Sequence, residues 1–491
     1  MTSLYAVLDD VFSTHAQQDC LRLSGQPTWR YADLQSYVGR ASQVLKNHGV
    51  GVGDRVVVQA AKSPQCLALY LATIRIGAVY VPLNTAYTSD ELAYFLQDAQ
   101  PQLFVGGEAH EAIASLTLQA DGSGTFPTAV DAEQATAPIH PSDTDTLAAI
   151  LYTSGTTGRS KGAMLSHGNL LSNARALSEA WGWRHDDVLL HALPIFHVHG
   201  LFIASHCALL NGSAIEWMEK FDPAAVMSRL RKCTVMMGVP TFYVRLLNIP
   251  DFPREPLDHM RVFICGSAPL TEQVFKAWET RTGHRILERY GMSETIINTS
   301  NPLHGERLAG TVGYPLPGMD LRIADDAGQP LAVGEVGTIE VRGANVFDGY
   351  WRMPDKTAEE IRPDGFFITG DLGTQAADGR VSIVGRAKDL VISGGYNVYP
   401  KEIERVIDEL ASVHESAVIG LPHADFGEAV VAVVVPADAN VSLADLDLAL
   451  QDKLARFKQP KAVINLPELP RNAMGKVQKN ALRETYKDFF A

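Results

Sequence analysis

One glycine-containing loop gathers five hydroxyl side chains and a lysine within ten residues. An apolar run, Leu147–Tyr152, leads into Thr153-Ser154-Gly155-Thr156-Thr157-Gly158-Arg159-Ser160-Lys161-Gly162. Glycines let the backbone turn tightly and point its N–H groups at an anion, while the hydroxyls and the lysine add donors and charge. The Gly-Lys-Ser/Thr ending of a Walker loop is missing. A polar surface loop is the alternative, but so many hydroxyls directly after an apolar strand favour phosphate binding.

Two further segments carry residues suited to nucleotide and metal chemistry. The first contains Tyr290, whose ring could stack on a purine, Ser293, whose hydroxyl could donate to a phosphate, and Glu294. A carboxylate such as that of Glu294 is a hard oxygen ligand suited to Mg²⁺. The second segment places Asp371 in a glycine-flanked turn. Taken alone, these acids could be a solvated side chain and a backbone cap.

Charged and titratable residues also stand where an apolar pocket would be expected. His197 and His199 lie two residues apart, and Arg289 directly precedes Tyr290. A buried guanidinium is costly unless an anion pairs with it. The distal carboxylate of a dicarboxylic acid could be held bidentately by Arg289, with His199 as a second donor. The alternative is a structural ion pair between Arg289 and Glu288 or another acid.

The elements that must position these residues are visible as alternating patterns. Strand Arg55–Gln59, helix Pro64–Gly77 and strand Ala78–Pro82 follow one another, and similar strands are predicted at Val188–Leu193 and Arg261–Cys265. This spacing predicts parallel sheets covered by helices on both faces. The fold class is therefore α/β, with a large N-terminal part made of αβα subdomains.

The pattern changes twice toward the C-terminus. From about residue 318, short strands such as Leu321–Ile323 and Gly337–Val341 alternate with turns, which predicts a small antiparallel barrel or sheet. Beyond Gly385–Asp389 the sequence predicts an α+β domain. Its predicted elements are helix Pro400–Glu409, strands Glu415–Leu421 and Ala429–Val435, helix Leu443–Arg456 and a final helix Lys479–Phe490. We place the domains at residues 1–387 and 388–491.

Composition narrows the class of protein and its partners. The chain has 42 basic and 56 acidic residues, a net charge of −14, which argues against nucleic acid as a partner. No run of about 18 uncharged apolar residues predicts a membrane helix. No secretory or transit signal is visible, and the five cysteines form no CxxC pair, so we expect a cytoplasmic protein without zinc or disulfides. We expect a monomer or weak homo-oligomer.

The polar segments, in their order along the chain, resemble the adenylate-forming superfamily of acyl- and aryl-CoA synthetases. The similarity runs from about Tyr31 to Lys479. It implies that ATP and Mg²⁺ activate a carboxylic acid as an acyl-adenylate, which then passes its acyl group to the thiol of coenzyme A. A carrier-protein thiol is the alternative acceptor. A binding or scaffold protein with a relic site is disfavoured, because the polar residues of the site are intact.

The resemblance also implies a role for each polar residue. The predicted nucleotide-binding residues are Thr153, Ser154, Gly155, Thr156, Thr157, Gly158, Lys161, Gly266, Ser267, Ala268, Tyr290, Asp371 and Arg386. Those predicted to act at the reacting atoms are Lys476, Glu294, Ser293 and His197, with Glu294 as the metal ligand. Lys388 corresponds to the hinge, and Ser393, Gly394, Gly395 and Tyr396 to the CoA-binding turn. Lys479 is the rival of Lys476 by proximity, but only Lys476 follows a glycine.

The residues around Arg289 and His199 resemble one branch of this superfamily in particular. Together with the segment Pro470–Asn480 they are similar to the malonyl-CoA synthetase branch, with methylmalonyl-CoA synthetases as near neighbours. Ile296 and Ile297 are candidates to line the same pocket. One methyl group changes pocket affinity by only ~1–3 kcal/mol, so the sequence does not choose between malonate and methylmalonate. Another small-acid CoA ligase is the alternative that Arg289 argues against.

Overall fold

The computed structural model describes residues 3–153, 160–253, 256–393, 396–423, 425–472 and 475–490. The strands up to residue 300 are β1 (Asp19–Arg22), β2 (Trp29–Arg30), β3 (Arg55–Gln59), β4 (Val79–Pro82), β5 (Leu103–Gly106), β6 (Ser115–Thr117), β7 (Leu147–Thr153), β8 (Lys161–Ser166), β9 (Val188–His191), β10 (Ala214–Trp217), β11 (Val235–Gly238), β12 (Val262–Cys265), β13 (Leu287–Tyr290) and β14 (Thr299–Ser300). The helices between them are α1 (Leu4–Thr14), α2 (Tyr31–Asn47), α3 (Pro64–Arg75), α4 (Ser89–Ala99), α5 (Thr125–Ala132), α6 (His167–Ala180), α7 (Ser205–Leu210), α8 (Pro223–Arg229), α9 (Pro240–Leu247) and α10 (Glu272–Thr282). A π-helix, His199–Ala204, runs directly into α7.

The later elements are shorter and their helices are fewer. The strands are β15 (Tyr314–Pro315), β16 (Met319–Ala324), β17 (Gly337–Gly343), β18 (Gly349–Tyr350), β19 (Phe367–Gln375), β20 (Val381–Arg386), β21 (Val391–Ser393), β22 (Tyr396–Val398), β23 (Val413–His423), β24 (Gly427–Pro436) and β25 (Ala462–Asn465). The helices are α11 (Pro354–Glu360), α12 (Pro400–Ile407), α13 (Leu443–Leu450) and α14 (Lys479–Thr485). Short 3₁₀ turns occur at Leu230–Lys232, Ala387–Asp389 and Arg456–Lys458.

Two large sheets organise the N-terminal part. Within the described residues, one has nine strands in the order β15-β14-β13-β12-β11-β9-β10-β1-β2, and the other has seven in the order β18-β8-β7-β4-β3-β5-β6. The central pairs, such as β11 with β12 and β3 with β4, are parallel. Helices connect these strands, so the α/β class with αβα subdomains is confirmed.

Burial on both faces explains why the central strands are continuous apolar runs. In β3, Val56 and Val58 pack into one hydrophobic cluster, while Val57 between them packs into another. Successive side chains of a strand point to opposite faces, so both faces of this sheet are covered. Ser63 then caps α3 by accepting a hydrogen bond from the Cys66 N–H, and Pro64 occupies the first turn.

The region after residue 318 is an antiparallel sheet. Among the described residues its strands lie in the order β16-β17-β19-β20. The predicted small barrel or sheet is therefore a four-stranded sheet. It brings Asp371 in β19 opposite Arg386 in β20, which places two of the predicted nucleotide-binding residues side by side.

The C-terminal segment has its own sheet and its own core. In its described part, β22-β21-β24-β23 form a sheet, and β25 pairs with β24 in parallel. Alternate residues of β24 feed two hydrophobic clusters: Val430 and Val434 lie in one, and Val431 and Val433 in the other. This is the α+β arrangement that the sequence predicts.

All three predicted helices in this segment are shorter than expected, the first of them ending at Ile407 instead of Glu409. The helix predicted at Leu443–Arg456 ends at Leu450, and the last helix ends at Thr485 instead of Phe490. After Leu450 the Lys453 N–H donates to the Leu450 C=O, three residues back, and Phe489 bonds to Tyr486 in the same way. Such i−3 bonds tighten the chain into turns at a helix end. A residue pattern cannot distinguish this extra turn from regular helix.

All five cysteines are buried and unpaired. No helix in the described segments combines the length and apolar character needed to cross a lipid bilayer.

Candidate active site

The predicted phosphate loop connects the paired ends of β7 and β8. Thr153 lies opposite Lys161 in this hairpin, and its hydroxyl donates to the Lys161 C=O at 3.4 Å. Ser154, Gly155, Thr156, Thr157 and Gly158 lie outside the described residues. The Lys161 ammonium pairs with the Glu360 carboxylate at 3.0 Å and lies 4.0 Å from the centre of the Tyr350 ring. Its positive charge is thus fixed at the mouth of the loop.

The carboxylate of Glu294 is buried close to this cation. Only 5% of the residue is exposed, and the Tyr350 hydroxyl lies 3.1 Å from its Oε1 and 2.7 Å from Oε2 of Glu360. Burial raises the pKa of Glu294, while the Tyr350 hydrogen bond and the Lys161 charge oppose that shift. A bound cation would therefore favour the ionised form that the metal role requires.

The donor set fits a magnesium ion that shares its ligands with phosphate. No group of three or more His, Cys, Asp or Glu side chains arranged to hold a metal occurs in the described part of the chain. Mg²⁺ usually takes one or two carboxylates and completes its shell with water and substrate phosphates. Glu294, one buried glutamate near the phosphate loop, fits such a coordination shell. It does not fit a site in which protein side chains supply every ligand.

Asp371 lies at the centre of a second polar group. Its carboxylate accepts hydrogen bonds from Arg386 Nε at 2.8 Å and from the Tyr290 hydroxyl at 2.6 Å. Only 4% of Asp371 is exposed. The structure therefore brings three of the predicted nucleotide-binding residues into direct contact. The hydrogen bond from Tyr290 to Asp371 is not a contact that the sequence predicts.

The structure separates the two candidate lysines of the C-terminal segment. Lys479 pairs with Glu404 at 2.5 Å, within its own domain. The ammonium of Lys476 instead interacts electrostatically with groups of the N-terminal part: burial first and the charge of Arg386 next lower its pKa to about 8, while Asp371 opposes that shift. The same ammonium contributes to lowering the pKa of His197. Lys476, and not its rival, is thus the lysine that lies among the predicted nucleotide residues.

A glycine lets this arm approach the large domain. Gly475 has φ of +73°, and a Cβ placed there would lie 3.1 Å from the Thr241 hydroxyl. A side chain would meet both backbone strain and a crowded neighbour. The loop is closed by the Lys476 N–H, which donates to Asn472 Oδ1 at 3.0 Å.

The predicted hinge lies in the 3₁₀ turn Ala387–Asp389, directly after β20. Lys388 is exposed there, and Asp389 forms an ion pair with Arg483 of α14 at 2.6 Å. The turn thus joins a strand that carries Arg386 to a domain that carries Lys476. An ion pair between Arg405 and Glu272 at 3.9 Å also connects the two parts.

The predicted CoA-binding residues lie in the hairpin of β21 and β22. Ser393 is buried and pairs with Tyr396, which is 59% exposed and stacks on Phe457. Gly394 and Gly395 lie outside the described residues. Where the chain is described, no hydrogen bond or ion pair joins Ser393 or Tyr396 to the polar groups around Lys476. The CoA role of this hairpin stays a prediction.

Arg289 is buried, and no acidic side chain among the described residues forms an ion pair with it. Only 4% of the residue is exposed, and neither Nε nor one Nη has a hydrogen-bond partner among the described residues. Its guanidinium packs against Gly266, where a Cβ would lie 2.3 Å from Nη1. Burial lowers its pKa to about 10, so the group stays charged at neutral pH. An unpaired buried cation with free donors calls for an anionic ligand.

Glu288, the alternative partner of Arg289, does not form an ion pair with it. Glu288 precedes it in β13, and successive residues of a strand face opposite ways. Burial raises the pKa of Glu288 to about 8, and its Oε1 accepts from the Leu270 N–H at 3.2 Å. Among the described residues no ion pair involves Arg289. The structural pair considered from the sequence is therefore not formed.

Two histidines lie close to this guanidinium. His199 is fully buried, and its Nδ1 lies 3.1 Å from the Ser267 hydroxyl, while Nε2 has no partner among the residues described. Burial and the Arg289 charge lower the pKa of both His199 and His197, that of His197 to about 4. Both rings are thus neutral at pH 7. If Ser267 donates to Nδ1, the ring proton of His199 stays on Nε2 as a second free donor.

The neighbouring backbone is strained. Ile296 has φ of +60° and Ser267 has φ of +71°. A β-branched residue in the left-handed region is a rare conformation that the surrounding packing must enforce. Ile296 and Ile297 are both buried in the large hydrophobic cluster. Ser293, Gly266 and Ala268 lie in the turns that follow β13 and β12.

The sequence reasoning missed Tyr350 and Glu360, which connect Lys161 to Glu294. Their spacing from Glu294, 56 and 66 residues along the chain, carries no local pattern. Tyr350 precedes the short helix α11 and Glu360 ends it, which is no distinctive sequence signal. Only the tertiary fold shows the connection.

Two family profiles and several characterised proteins match the sequence of this chain. The profile of AMP-binding enzymes matches residues 9–351, and that of the AMP-binding enzyme C-terminal domain matches residues 402–476. A malonate–CoA ligase from Arabidopsis thaliana is 35% identical, over 91% of this chain and 80% of that protein. A feruloyl-CoA synthase from Amycolatopsis is 36% identical, over 93% of this chain and 94% of its own.

Similarity to solved structures extends over the full length. The ATP-bound structure of MatB from Rhodopseudomonas palustris is 49% identical, covers all of both chains and superposes with a TM-score of 0.96. The apo structure of MatB also covers both chains fully, at 50% identity, and gives a TM-score of 0.85. The matched profiles and the shared architecture show that this chain belongs to the AMP-binding enzyme family.

Proposed function

We propose that this protein is an AMP-forming malonate–CoA ligase. In the first step a malonate carboxylate oxygen attacks the α-phosphorus of ATP, giving malonyl-adenylate and releasing pyrophosphate. In the second step the thiol of CoA attacks the acyl carbon, giving malonyl-CoA and AMP. Methylmalonate is a near alternative as the acid.

The observation that supports malonate as the substrate is the buried Arg289 guanidinium, which has no ion-pair partner among the described residues. Relatives of nearly equal identity include a malonate ligase and a feruloyl-CoA synthase, so overall similarity does not identify the substrate. The Arg289 guanidinium and His199 Nε2, both buried and with donors that lack a partner among the described residues, could hold a second carboxylate. A monocarboxylic acid would leave that buried charge without a partner, at a cost in binding.

The remaining polar residues divide between ATP and the metal. We assign Thr153 and Lys161, with Ser154, Gly155, Thr156, Thr157 and Gly158, to the phosphates. Gly266, Ser267, Ala268 and Tyr290 would line the adenine, Asp371 would accept from the ribose hydroxyls, and Arg386 would reach the ribose and phosphates. Glu294 would hold Mg²⁺, which neutralises phosphate charge when bound. Ser293 would donate to the α-phosphate.

We further propose that residues 1–387 and 388–491 move relative to each other between the two steps. The described arrangement, with Lys476 near Asp371 and Arg386, suits adenylate formation. Greater similarity to ATP-bound MatB than to apo MatB, with TM-scores of 0.96 and 0.85, supports this reading. Rotation would withdraw Lys476 and present the hairpin of Ser393, Gly394, Gly395 and Tyr396 to CoA.

A panel of acids tests the proposal directly. Malonate, methylmalonate, succinate, propionate, acetate and an aromatic acid are each incubated with ATP, Mg²⁺ and CoA, and AMP formation is measured. Malonate or methylmalonate should give the largest kcat/KM. A pyrophosphate-exchange assay without CoA separates the first step from transfer, and a carrier protein in place of CoA tests the other acceptor. A preference for propionate over malonate would contradict the proposal.

Glu294→Gln should weaken the dependence on Mg²⁺ and slow the first step. The amide keeps the size and one acceptor oxygen but loses the charge that attracts the cation. Contacts between charged groups contribute ~1.5–3 kcal/mol, so the half-saturating Mg²⁺ concentration should rise about tenfold or more. Pyrophosphate exchange at varied Mg²⁺ measures this. Glu359→Gln, in an exposed acid of α11, is the control; equal behaviour of the two variants would remove Glu294 from the metal site.

Lys388→Pro should stop the cycle between its two steps. Proline fixes φ near −65° and removes an N–H, so the turn Ala387–Asp389 could not change its torsions. Adenylate should still form in pyrophosphate exchange, while CoA-dependent turnover should fall by about a hundredfold. Lys388→Ala removes the same side chain without restricting φ and should stay near wild type. Normal turnover in the proline variant would rule out rotation at this residue.

A further inference from the structure

A buried lysine outside the residues assigned so far is connected to the acid pocket. Lys62 follows β3 and is 8% exposed. Its Nζ donates to Nδ1 and to the C=O of His191, each at 2.8 Å, and lies 4.4 Å from the centre of the Trp217 ring. No carboxylate lies within ion-pair distance of Lys62 in the described residues. Burying an amine that has only neutral partners costs folding free energy, which suggests that Lys62 has a function.

His191 links Lys62 to the π-helix through hydrogen bonds. It ends β9 and is fully buried. Because the Gly200 C=O can only accept, the His191 ring proton lies on Nε2 and is donated to that carbonyl at 2.9 Å, so Nδ1 accepts from Lys62. The Ser205 hydroxyl donates to the same carbonyl at 2.9 Å. The Gly200–Leu201 peptide, one residue beyond His199, is therefore held by two hydrogen bonds.

The connection also spans the two large sheets. Lys62 lies in the loop that follows β3 of the seven-stranded sheet, and His191 is the last residue of β9 in the nine-stranded sheet. The π-helix that it holds begins with His199. π-helical turns are rare and are frequent at functional sites. Here the unusual turn supplies the residue whose free Nε2 lies in the acid pocket.

We propose that Lys62 and His191 are positioning residues that hold the first turn of the π-helix, so that His199 presents Nε2 to the distal carboxylate of the acid. The proposal deepens the proposed function and rests on it. Neither residue touches the substrate. Their effect reaches the acid through the Gly200 peptide, and so it falls on acid binding and not on ATP binding.

Lys62→Met tests this with a side chain of similar length and no amine. His191 then loses its donor at Nδ1 and is free to change tautomer. The KM for malonate should rise about tenfold, in line with the loss of a hydrogen bond to a charged group. The KM for ATP should change less than about twofold. Lys62 and the exposed Lys220 both line a cavity of about 270 Å³. Lys220→Met is therefore the matched control, and its KM for malonate should equal that of the wild type.

A double-mutant cycle separates positioning from a general structural role. In a His199→Ala background, Lys62→Met should have no further effect on the malonate KM, because the residue it positions is gone. Equal effects in the two backgrounds would overturn the proposal. If Lys62→Met does not fold, Ser205→Ala decides: it removes one of the two bonds to the Gly200 carbonyl and should raise the malonate KM about threefold, with an unchanged KM for ATP. An unchanged malonate KM in that variant would also overturn the proposal.

The cycle distinguishes its own failure from that of the proposed function. It is run with whichever acid the panel shows to be the best substrate. A best substrate without a second carboxylate contradicts the proposed function, whereas independence of Lys62 and His199 contradicts only the positioning role.

Discussion

Lys476→Ala should abolish adenylate formation and leave thioester formation largely intact. Lys476 lies among Arg386, Asp371 and His197, where its ammonium would offset charge that develops as the carboxylate attacks the α-phosphate. Loss of one such stabilising group costs about 10²–10³-fold in rate. Pyrophosphate exchange should therefore fall by that factor or more. CoA transfer from supplied malonyl-adenylate should stay near the wild-type rate.

Lys479→Ala is the matched control for this experiment. Its ammonium pairs with Glu404 within the C-terminal domain, so pyrophosphate exchange should change little. The wild-type pH profile gives a second check. Burial and Arg386 lower the pKa of Lys476 to about 8, and the protonated form is the active one. The kcat/KM for adenylation should thus decline as pH rises through about 8. Equal loss of both half-reactions in Lys476→Ala would show a structural role instead.

Arg289→Ala should lose malonate far more than it loses a monocarboxylate. The guanidinium is buried and stays charged at neutral pH, because burial lowers its pKa only to about 10. A hydrogen bond that involves charged groups contributes ~1.5–3 kcal/mol, and the planar group can make two. Each 1.4 kcal/mol is roughly tenfold, so kcat/KM for malonate should fall by about a hundredfold or more.

The comparison acid separates binding from misfolding. Propionate has no distal carboxylate, so its kcat/KM should change little and could rise once the unpaired cation is removed. The KM for ATP should also stay near wild type. Arg289→Lys should recover only part of the malonate activity, since an ammonium lacks the planar fork. A proportional loss of malonate and propionate would remove the dicarboxylate assignment and leave the adenylate-forming one unchanged.

Local signals were enough to predict the parallel sheets and to propose site residues, some of which the structure brings into contact. The apolar runs of β3 and β4 predict strands covered on both faces, as the structure shows. Gly475 is the local signal that favours Lys476 over Lys479 as the catalytic lysine, and that role stays a prediction. The charge of Arg289, at a place where an apolar pocket would be expected, likewise predicted a carboxylate ligand. In each case the residue type and its immediate neighbours carry the information.

Contacts between distant segments could not be predicted in this way. The Tyr290 hydroxyl reaches Asp371 across 81 residues, and Lys62 reaches His191 across 129. Both pairs depend on how whole sheets pack, which no short pattern records. The same holds for Glu288, where adjacency in sequence suggested a partner for Arg289 and the alternation of β13 separates the two side chains.

The burial of the five cysteines matters for an enzyme whose substrate, coenzyme A, is itself a thiol. Disulfide exchange requires an accessible thiolate. All five thiols of this chain are buried, and burial raises the pKa of each, so they remain protonated and out of reach while the chain is folded. Coenzyme A and its oxidised disulfide can therefore pass over the folded protein without forming a mixed disulfide with it.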